Sequence, residues 1–131
     1  MQLKHGVSAY AQVGLESQLA GASPHQLITM LFDGAHNAIL RAKIFFDNGN
    51  IAKRGQMISK AINIVDNGLR AALDHEKGKE IAYDLDRLYE FISFTLLQSN
   101  LHNDPDKLMV ADRILMDIAD TWKSINPQRK G

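Results

Sequence analysis

Histidines and carboxylates are the side chains in this sequence best suited to catalysis or metal binding. A zinc-binding helix places two histidines four residues apart, but the five histidines are scattered at His5, His25, His36, His75 and His102. The sequence contains no cysteine, which excludes disulfides and thiolate metal sites. It also contains neither a glycine loop for phosphate nor a nucleophile elbow. We therefore predict no catalytic residue, metal, cofactor or small-molecule substrate.

The closest approach to a metal motif is the pair Asp33 and His36, which has the carboxylate-x-x-histidine spacing of di-iron bundles. That chemistry requires two such units and two further inward carboxylates, and the sequence supplies no second unit. His36 also falls well away from the main apolar stripe of its helix. We expect it to face solvent.

Histidine phosphotransfer is an alternative function, because one exposed histidine on a helical bundle is enough for it. His25, His36 and His75 are the candidates. None of them lies in basic, glycine-bearing surroundings that would favour a phosphoryl group. The residues around these histidines therefore disfavour histidine phosphotransfer but do not exclude it.

Charge and hydropathy exclude further classes of function. The 131 residues carry 15 basic and 15 acidic side chains, so the basic footprint expected of a nucleic-acid-binding protein is missing. Residues 1–22 lack the unbroken apolar stretch of a signal peptide, and no segment approaches the ~18 apolar residues that span a bilayer. We expect a cytoplasmic protein that is not inserted in a membrane.

The elements that would position any site are helices. Ser23 and Pro24 suit a helix start, with Gln26 completing a capping box, and Asp104–Pro105 repeats the cap-then-proline pattern. Gly49–Asn50 separates the first two helices, and Gly78–Lys79 separates the second from the third, which should start near Lys79.

Apolar residues recur every three or four positions in all four segments, and strand-like alternation is absent. Short joints between helices of about 20 residues imply antiparallel neighbours. We therefore predict an all-α fold, an antiparallel four-helix bundle over residues 23–126. An N-terminal extension, residues 1–22, precedes it, and a tail, residues 127–131, follows.

Two helices carry more apolar residues than a bundle requires. The second has an extra row of small and apolar residues about 100° from its main stripe: Met57, Ile64, Gly68 and Ala71. The third has an apolar row opposite its main stripe: Tyr83, Phe94, Leu97 and Leu101. A helix that is apolar on both sides must be covered on both sides or expose a sticky surface.

Two interpretations of these rows stay open. Another part of the chain, such as an offset helix or residues 1–22, could cover them. Alternatively, they form a groove for the amphipathic helix of a partner. The N-terminal segment itself is either a frayed terminus or a removable cover of that groove, held by Tyr10 and Leu15.

The sequence also resembles the FliS family of flagellar secretion chaperones in three segments that occur in the same order. The segment 23–35 is similar to the opening of the first long helix in that family, and 60–69 is similar to its second-helix signature. The segment 73–89 is similar to the following turn and third helix. Phe32 departs from a common tyrosine and Lys79 from a common glycine, so the turn at 78–79 could differ from the usual one.

The resemblance implies an antiparallel helical bundle that binds the disordered C-terminal region of flagellin. It implies that the protein prevents premature polymerisation of flagellin in the cytoplasm and presents it to the flagellar export apparatus. It further implies that the N-terminal segment can occupy part of the client site. The two surplus rows are our candidates for the client contacts.

Overall fold

The computed structural model describes residues 21–125. In this range the chain forms four α-helices and no strand: α1 (Pro24–Asp47), α2 (Ile51–Ile64), α3 (His75–Leu101) and α4 (Pro105–Ser124). A π-helical turn, Val65–Arg70, continues α2. The predicted all-α four-helix fold is confirmed. None of the helices in residues 21–125 has the length and apolarity needed to cross a membrane.

The helix starts follow from local side-chain chemistry. The Ser23 hydroxyl accepts a hydrogen bond from the Gln26 N–H at 3.1 Å, and the Ser23 N–H donates to Gln26 Oε1 at 2.8 Å. This is the capping box that the sequence predicts. Asp104 caps α4 by accepting hydrogen bonds from the N–H groups of Asp106 and Lys107.

The helices form a closed bundle. Helices α1 and α3 each pack against both α2 and α4, so they lie diagonally opposite one another. The joints at 48–50 and 102–104 span three residues each and reverse the chain direction. The largest fully buried apolar side chains form one core: Phe32, Ile39, Ile58, Val65, Leu69, Ile92, Leu96, Leu108 and Leu115.

The predicted break at Gly78–Lys79 is present, but an earlier interruption, which was not predicted, also separates α2 from α3. Helical structure after α2 ends at Arg70, and α3 begins at His75 because Asp74 caps the N–H groups of Glu76 and Lys77. The backbone then leaves helical geometry at Lys79, with φ 47° and ψ −116°. Glycine adopts this conformation more readily than lysine does.

A buried arginine ties the two joints at one end of the bundle together. Arg54 on α2 is only 7% exposed. Its Nε donates to Asn100 Oδ1 at 2.9 Å, one terminal nitrogen donates to Asn103 Oδ1 at 2.8 Å, and the other donates to the Asn100 carbonyl at 3.1 Å. The guanidinium also lies 4.5 Å from the Phe46 ring centroid. Arg54 therefore joins the first turn of α2 to the end of α3.

Candidate functional site

The outer side of α3 is an exposed apolar surface. Tyr83, Phe94, Leu97 and Leu101, here called the α3 outer row, are between 45% and 64% exposed. The opposite side of the same helix buries Ile92 and Leu96 completely in the core. Helix α3 is therefore apolar on both sides, and residues 21–125 cover only one of them.

The surplus row of α2 lies elsewhere, along α1. A Cβ atom on Gly68 would lie 3.2 Å from Leu31 Cδ2, and one on Gly34 would lie 3.5 Å from Ile64 Cδ1. The small residues thus allow a second helix to approach closely, and that helix is α1. The structure does not bring the two surplus rows together on one face.

The other two residues of the α2 row have different surroundings. Met57 lines a shallow groove between α1 and α2. Ala71, directly after the π-helical turn, is exposed. The client contacts that we predict for all four residues of the row remain a prediction.

A larger apolar groove opens at the end of the bundle where α1 and α3 begin and α4 ends. Its volume is about 530 Å³. The lining residues of this end groove are apolar except for Asp117 and Thr121: Ile28, Phe32, Leu69, Ala72, Leu73, Ile81, Leu85, Tyr89, Asp117, Ile118, Thr121, Trp122 and Ile125. Such a lining suits apolar side chains rather than a polar substrate.

The end groove corrects our expectation for two residues. Their helical spacing places Ile81 on the core-facing apolar stripe of α3 and Ile125 on that of α4, but Ile81 is 70% exposed and Ile125 is 56% exposed. Helical periodicity predicts which side of a helix is apolar, and it does not show whether the turns at the end of the bundle are covered. Sequence reasoning missed the groove for this reason.

Two contacts stabilise the end groove and its surroundings: one involves Tyr89, which lines the groove, and the other joins Arg70 to Asp86. Tyr89 is buried beside Phe32, with ring centroids 6.4 Å apart, and burial raises the pKa of its phenol to about 12. On the flank, Arg70 Nε donates to Asp86 Oδ1 at 2.9 Å. This hydrogen bond holds the pKa of the Asp86 carboxyl below its usual value. The contact fixes the π-helical turn against α3.

Two of the three phosphotransfer candidates are engaged in contacts. The His25 ring stacks on Trp122, with centroids 4.6 Å apart. The expectation that His36 faces solvent is wrong: its Nδ1 lies 2.7 Å from Oδ1 of the buried Asp112 and links α1 to α4. His75, in the first turn of α3, is exposed. Within residues 21–125, no group of three or more histidines and carboxylates could hold a metal ion.

The predicted cover residues, Tyr10 and Leu15, lie outside the described residues. The chain enters the structure at Gly21, a few residues before Ile28 at the rim of the end groove.

Comparison with known proteins places the chain in a family. The family model described as flagellar protein FliS matches residues 6–129. The flagellar secretion chaperone FliS of Salmonella typhimurium is 50% identical over 98% of this chain and 95% of its own length. The proteins of the same name from Escherichia coli and Vibrio cholerae are 44% and 36% identical, over 94% and 96% of this chain and 90% and 92% of their own lengths. The chain therefore belongs to the FliS family, whose members named here are flagellar secretion chaperones.

Proposed function

We propose that this protein is a cytoplasmic chaperone of flagellar secretion that binds the C-terminal region of flagellin. It keeps flagellin from polymerising prematurely and delivers it to the flagellar export apparatus. The observation that carries the proposal is the α3 outer row, because a soluble bundle has no need of Phe94 and Leu101 on its surface. Membership of a chaperone family supports the same interpretation. The proposal assigns no catalytic residue, cofactor or small-molecule substrate.

The dimensions of the apolar surface suit a client that folds on binding. A disordered segment loses conformational entropy when it is ordered, so it requires a long apolar interface. Tyr83 and Leu101 lie 18 residues apart on α3, which corresponds to about 27 Å at the rise of an α-helix. A client helix of about five turns can therefore lie along this row.

Two charged side chains, Arg87 and Glu90, lie in the line of the row between Tyr83 and Phe94. The Arg87 guanidinium lies 5.8 Å from the Tyr83 ring centroid, and Glu90 is exposed one helical turn before Phe94. The apolar part of the row is therefore continuous from Phe94 to Leu101, and the charges separate it from Tyr83. In this interpretation Phe94 and Leu97 supply most of the affinity and the charges favour one orientation of the client.

The end groove has a separate role in the proposal. Residues 1–22 carry Tyr10 and Leu15, which are of the size that its apolar lining accepts. In the proposal the end groove is the part of the client site that this segment covers, and the client displaces the segment when it binds. The α2 row contributes at Met57 and Ala71, since Ile64 and Gly68 already contact α1.

The test is calorimetric titration of the full-length protein with the C-terminal segment of flagellin from the same source. We expect a one-to-one complex with a negative heat-capacity change, which marks apolar burial. Phe94→Asp should weaken binding by at least about tenfold, because it places a charge in the centre of the contact. Val110→Asp on α4, which changes a similarly exposed apolar residue, is the matched control and should bind like the wild type.

Two results would overturn the proposal. One is the absence of binding at about 50 µM protein, where a useful chaperone complex should be well populated. The other is equal loss of affinity in both variants while circular dichroism shows unchanged helicity. Such a loss would mean that the α3 outer row is not the contact surface.

A further inference from the structure

The chain has no net charge, but its charged residues are unevenly distributed, so that one half is basic and the other is acidic. Residues 34–65, the second half of α1 and all of α2, contain five basic side chains and one acidic residue, Asp47. Residues 66–125 contain twelve acidic and seven basic side chains. The only acid of the basic half is neutralised locally, because Lys43 Nζ lies 2.7 Å from Asp47 Oδ1.

A shallow groove lies on the surface of this basic half. It runs between α1 and α2, has a volume of about 360 Å³, and is lined by Arg41, Ile44, Phe45, Lys53, Gln56 and Met57. We call it the α1–α2 groove. Ile44 is 57% exposed and forms an apolar edge with the neighbouring Leu40, which is also exposed.

Two cations, Arg41 and Lys53, line the groove, and a third, Lys60, lies further along α2. Within residues 21–125, Arg41, Lys53 and Lys60 have no salt bridge to a carboxylate, and all three are exposed. The Lys53 ammonium lies 5.8 Å from the Phe45 ring centroid, above the floor of the groove. Lys60 follows Lys53 by seven residues and therefore lies on the same side of α2. An apolar floor is thus bordered by positive charge from both helices.

We propose that the α1–α2 groove is a docking site for an acidic amphipathic helix of a partner protein. Apolar side chains on one face of such a helix would contact Ile44, Phe45 and Met57. Glu or Asp side chains beside that face would pair with Arg41 and Lys53. The site lies on α1 and α2, apart from the α3 outer row. It shares Met57 with the proposed flagellin contacts, so its test uses Arg41, Lys53 and Ile44, which are not among those contacts.

The chain itself does not supply a suitable occupant. Residues 1–20 contain one acidic residue, Glu16, and residues 126–131 contain none. A second copy could offer its acidic α3–α4 half, but contact between two different surfaces of identical chains builds a ring or an open assembly rather than a two-fold dimer. Charge complementarity therefore favours a different protein as the partner.

The experiment measures binding of a fluorescein-labelled probe to the full-length protein by anisotropy. The probe is a synthetic amphipathic helix with leucine on one face and glutamate on the others, and its counterpart has lysine in place of each glutamate. We expect saturable binding of the glutamate probe alone. Raising the salt from about 50 to about 300 mM should weaken this binding several-fold, because the charges are at the surface.

Matched variants locate the probe on the protein. The double variant Arg41→Glu with Lys53→Glu should lose at least about tenfold in affinity, since two attractive contacts become repulsive. The control Lys77→Glu with Lys107→Glu changes the net charge equally at exposed helix starts away from the groove, and it should bind like the wild type. Ile44→Ser should weaken binding without changing its salt dependence.

Several outcomes would overturn this inference. They are equal binding of both probes, no binding of the glutamate probe at about 100 µM protein, and equal loss of affinity in the control variant. Binding to vesicles that contain phosphatidylglycerol, with none to the probe, would identify an anionic membrane surface instead. Concentration-dependent self-association abolished by Arg41→Glu with Lys53→Glu would identify a second copy as the occupant.

Discussion

His25 and Trp122 exchange reciprocal hydrogen bonds across the bundle while their rings stack. His25 Nε2 lies 2.8 Å from the Trp122 carbonyl oxygen, and Trp122 Nε1 donates to the His25 carbonyl at 3.1 Å. Their rings are nearly parallel, with an interplanar angle of 13°. The pair holds the last turn of α4 against the first turn of α1. Because Trp122 lines the end groove, the pair also sets the position of the groove's edge.

The first prediction concerns this pair. His25→Ala should lower the free energy of unfolding by about 1–2 kcal/mol, since it removes the stack and one of the two hydrogen bonds. The bond from Trp122 Nε1 to the backbone of residue 25 can persist. Urea denaturation followed by circular dichroism measures the loss. His75→Ala, at an exposed position, is the control and should change stability by no more than about 0.5 kcal/mol.

Trp122 also provides a direct optical signal, because it is the only tryptophan of the chain. His25→Ala removes the stacked ring and should change the emission intensity and wavelength of Trp122 in the folded protein. Identical emission spectra of the variant and the wild type would show that the two rings are not stacked in solution.

The second prediction concerns the break in α3. Lys79→Gly should stabilise the protein by about 1 kcal/mol, because glycine adopts a positive φ without the steric cost that lysine bears. Thermal denaturation gives the measurement. Lys77→Gly is the matched control: in the helical turn before the break, it should destabilise by about 0.5–1 kcal/mol. Equal destabilisation by both substitutions would contradict the strained backbone at Lys79.

The neighbouring Gly78 has a different constraint. A Cβ atom there would lie 2.8 Å from the Cβ of Ala82, closer than such atoms normally approach. The two adjacent positions therefore differ in physical terms, since one is limited by space and the other by backbone conformation.

The third prediction concerns Arg54. Arg54→Lys should destabilise the protein by about 2–3 kcal/mol, because a lysine ammonium cannot reproduce the planar fork that reaches Asn100 and Asn103 together. Arg41→Lys, at an exposed position of α1, is the control and should leave stability unchanged. Urea denaturation of both variants measures their free energies of unfolding. If Arg54→Lys is as stable as the wild type, the three hydrogen bonds contribute little in solution.

The sequence predicts those features of this fold that depend on residues close together in the chain. The capping box of Ser23 and Gln26 and the start of α4 at Asp104 are local, and both are confirmed. The exposed side of α3 is also predictable, because Phe94 and Leu97 lie opposite Ile92 and Leu96 by helical geometry alone.

Features that depend on distant residues were not predictable. His36 pairs with Asp112, which lies 76 positions further along the chain. Arg54 donates hydrogen bonds to Asn100 and Asn103, which lie 46 and 49 positions further along. The helical wheel places a side chain on a face but does not identify the helix opposite that face. The small residues of the α2 row pack against α1. The helical wheel does not show this contact, so the same residues could be interpreted as part of a groove for a partner.

The last prediction concerns Tyr89 on the floor of the end groove. Because burial raises its pKa to about 12, the folded protein keeps this proton at pH values where an ordinary tyrosine, with a pKa near ~10, loses it. The unfolded chain therefore binds fewer protons than the folded chain between about pH 10 and pH 12. The free energy of unfolding should fall as the pH rises through this range, by up to about 3 kcal/mol. Absorbance at the phenolate wavelength should show one of the three tyrosines titrating late. Tyr89→Phe should remove that late phase and leave the others in place, whereas a late phase that persists in the variant would assign the burial to another tyrosine.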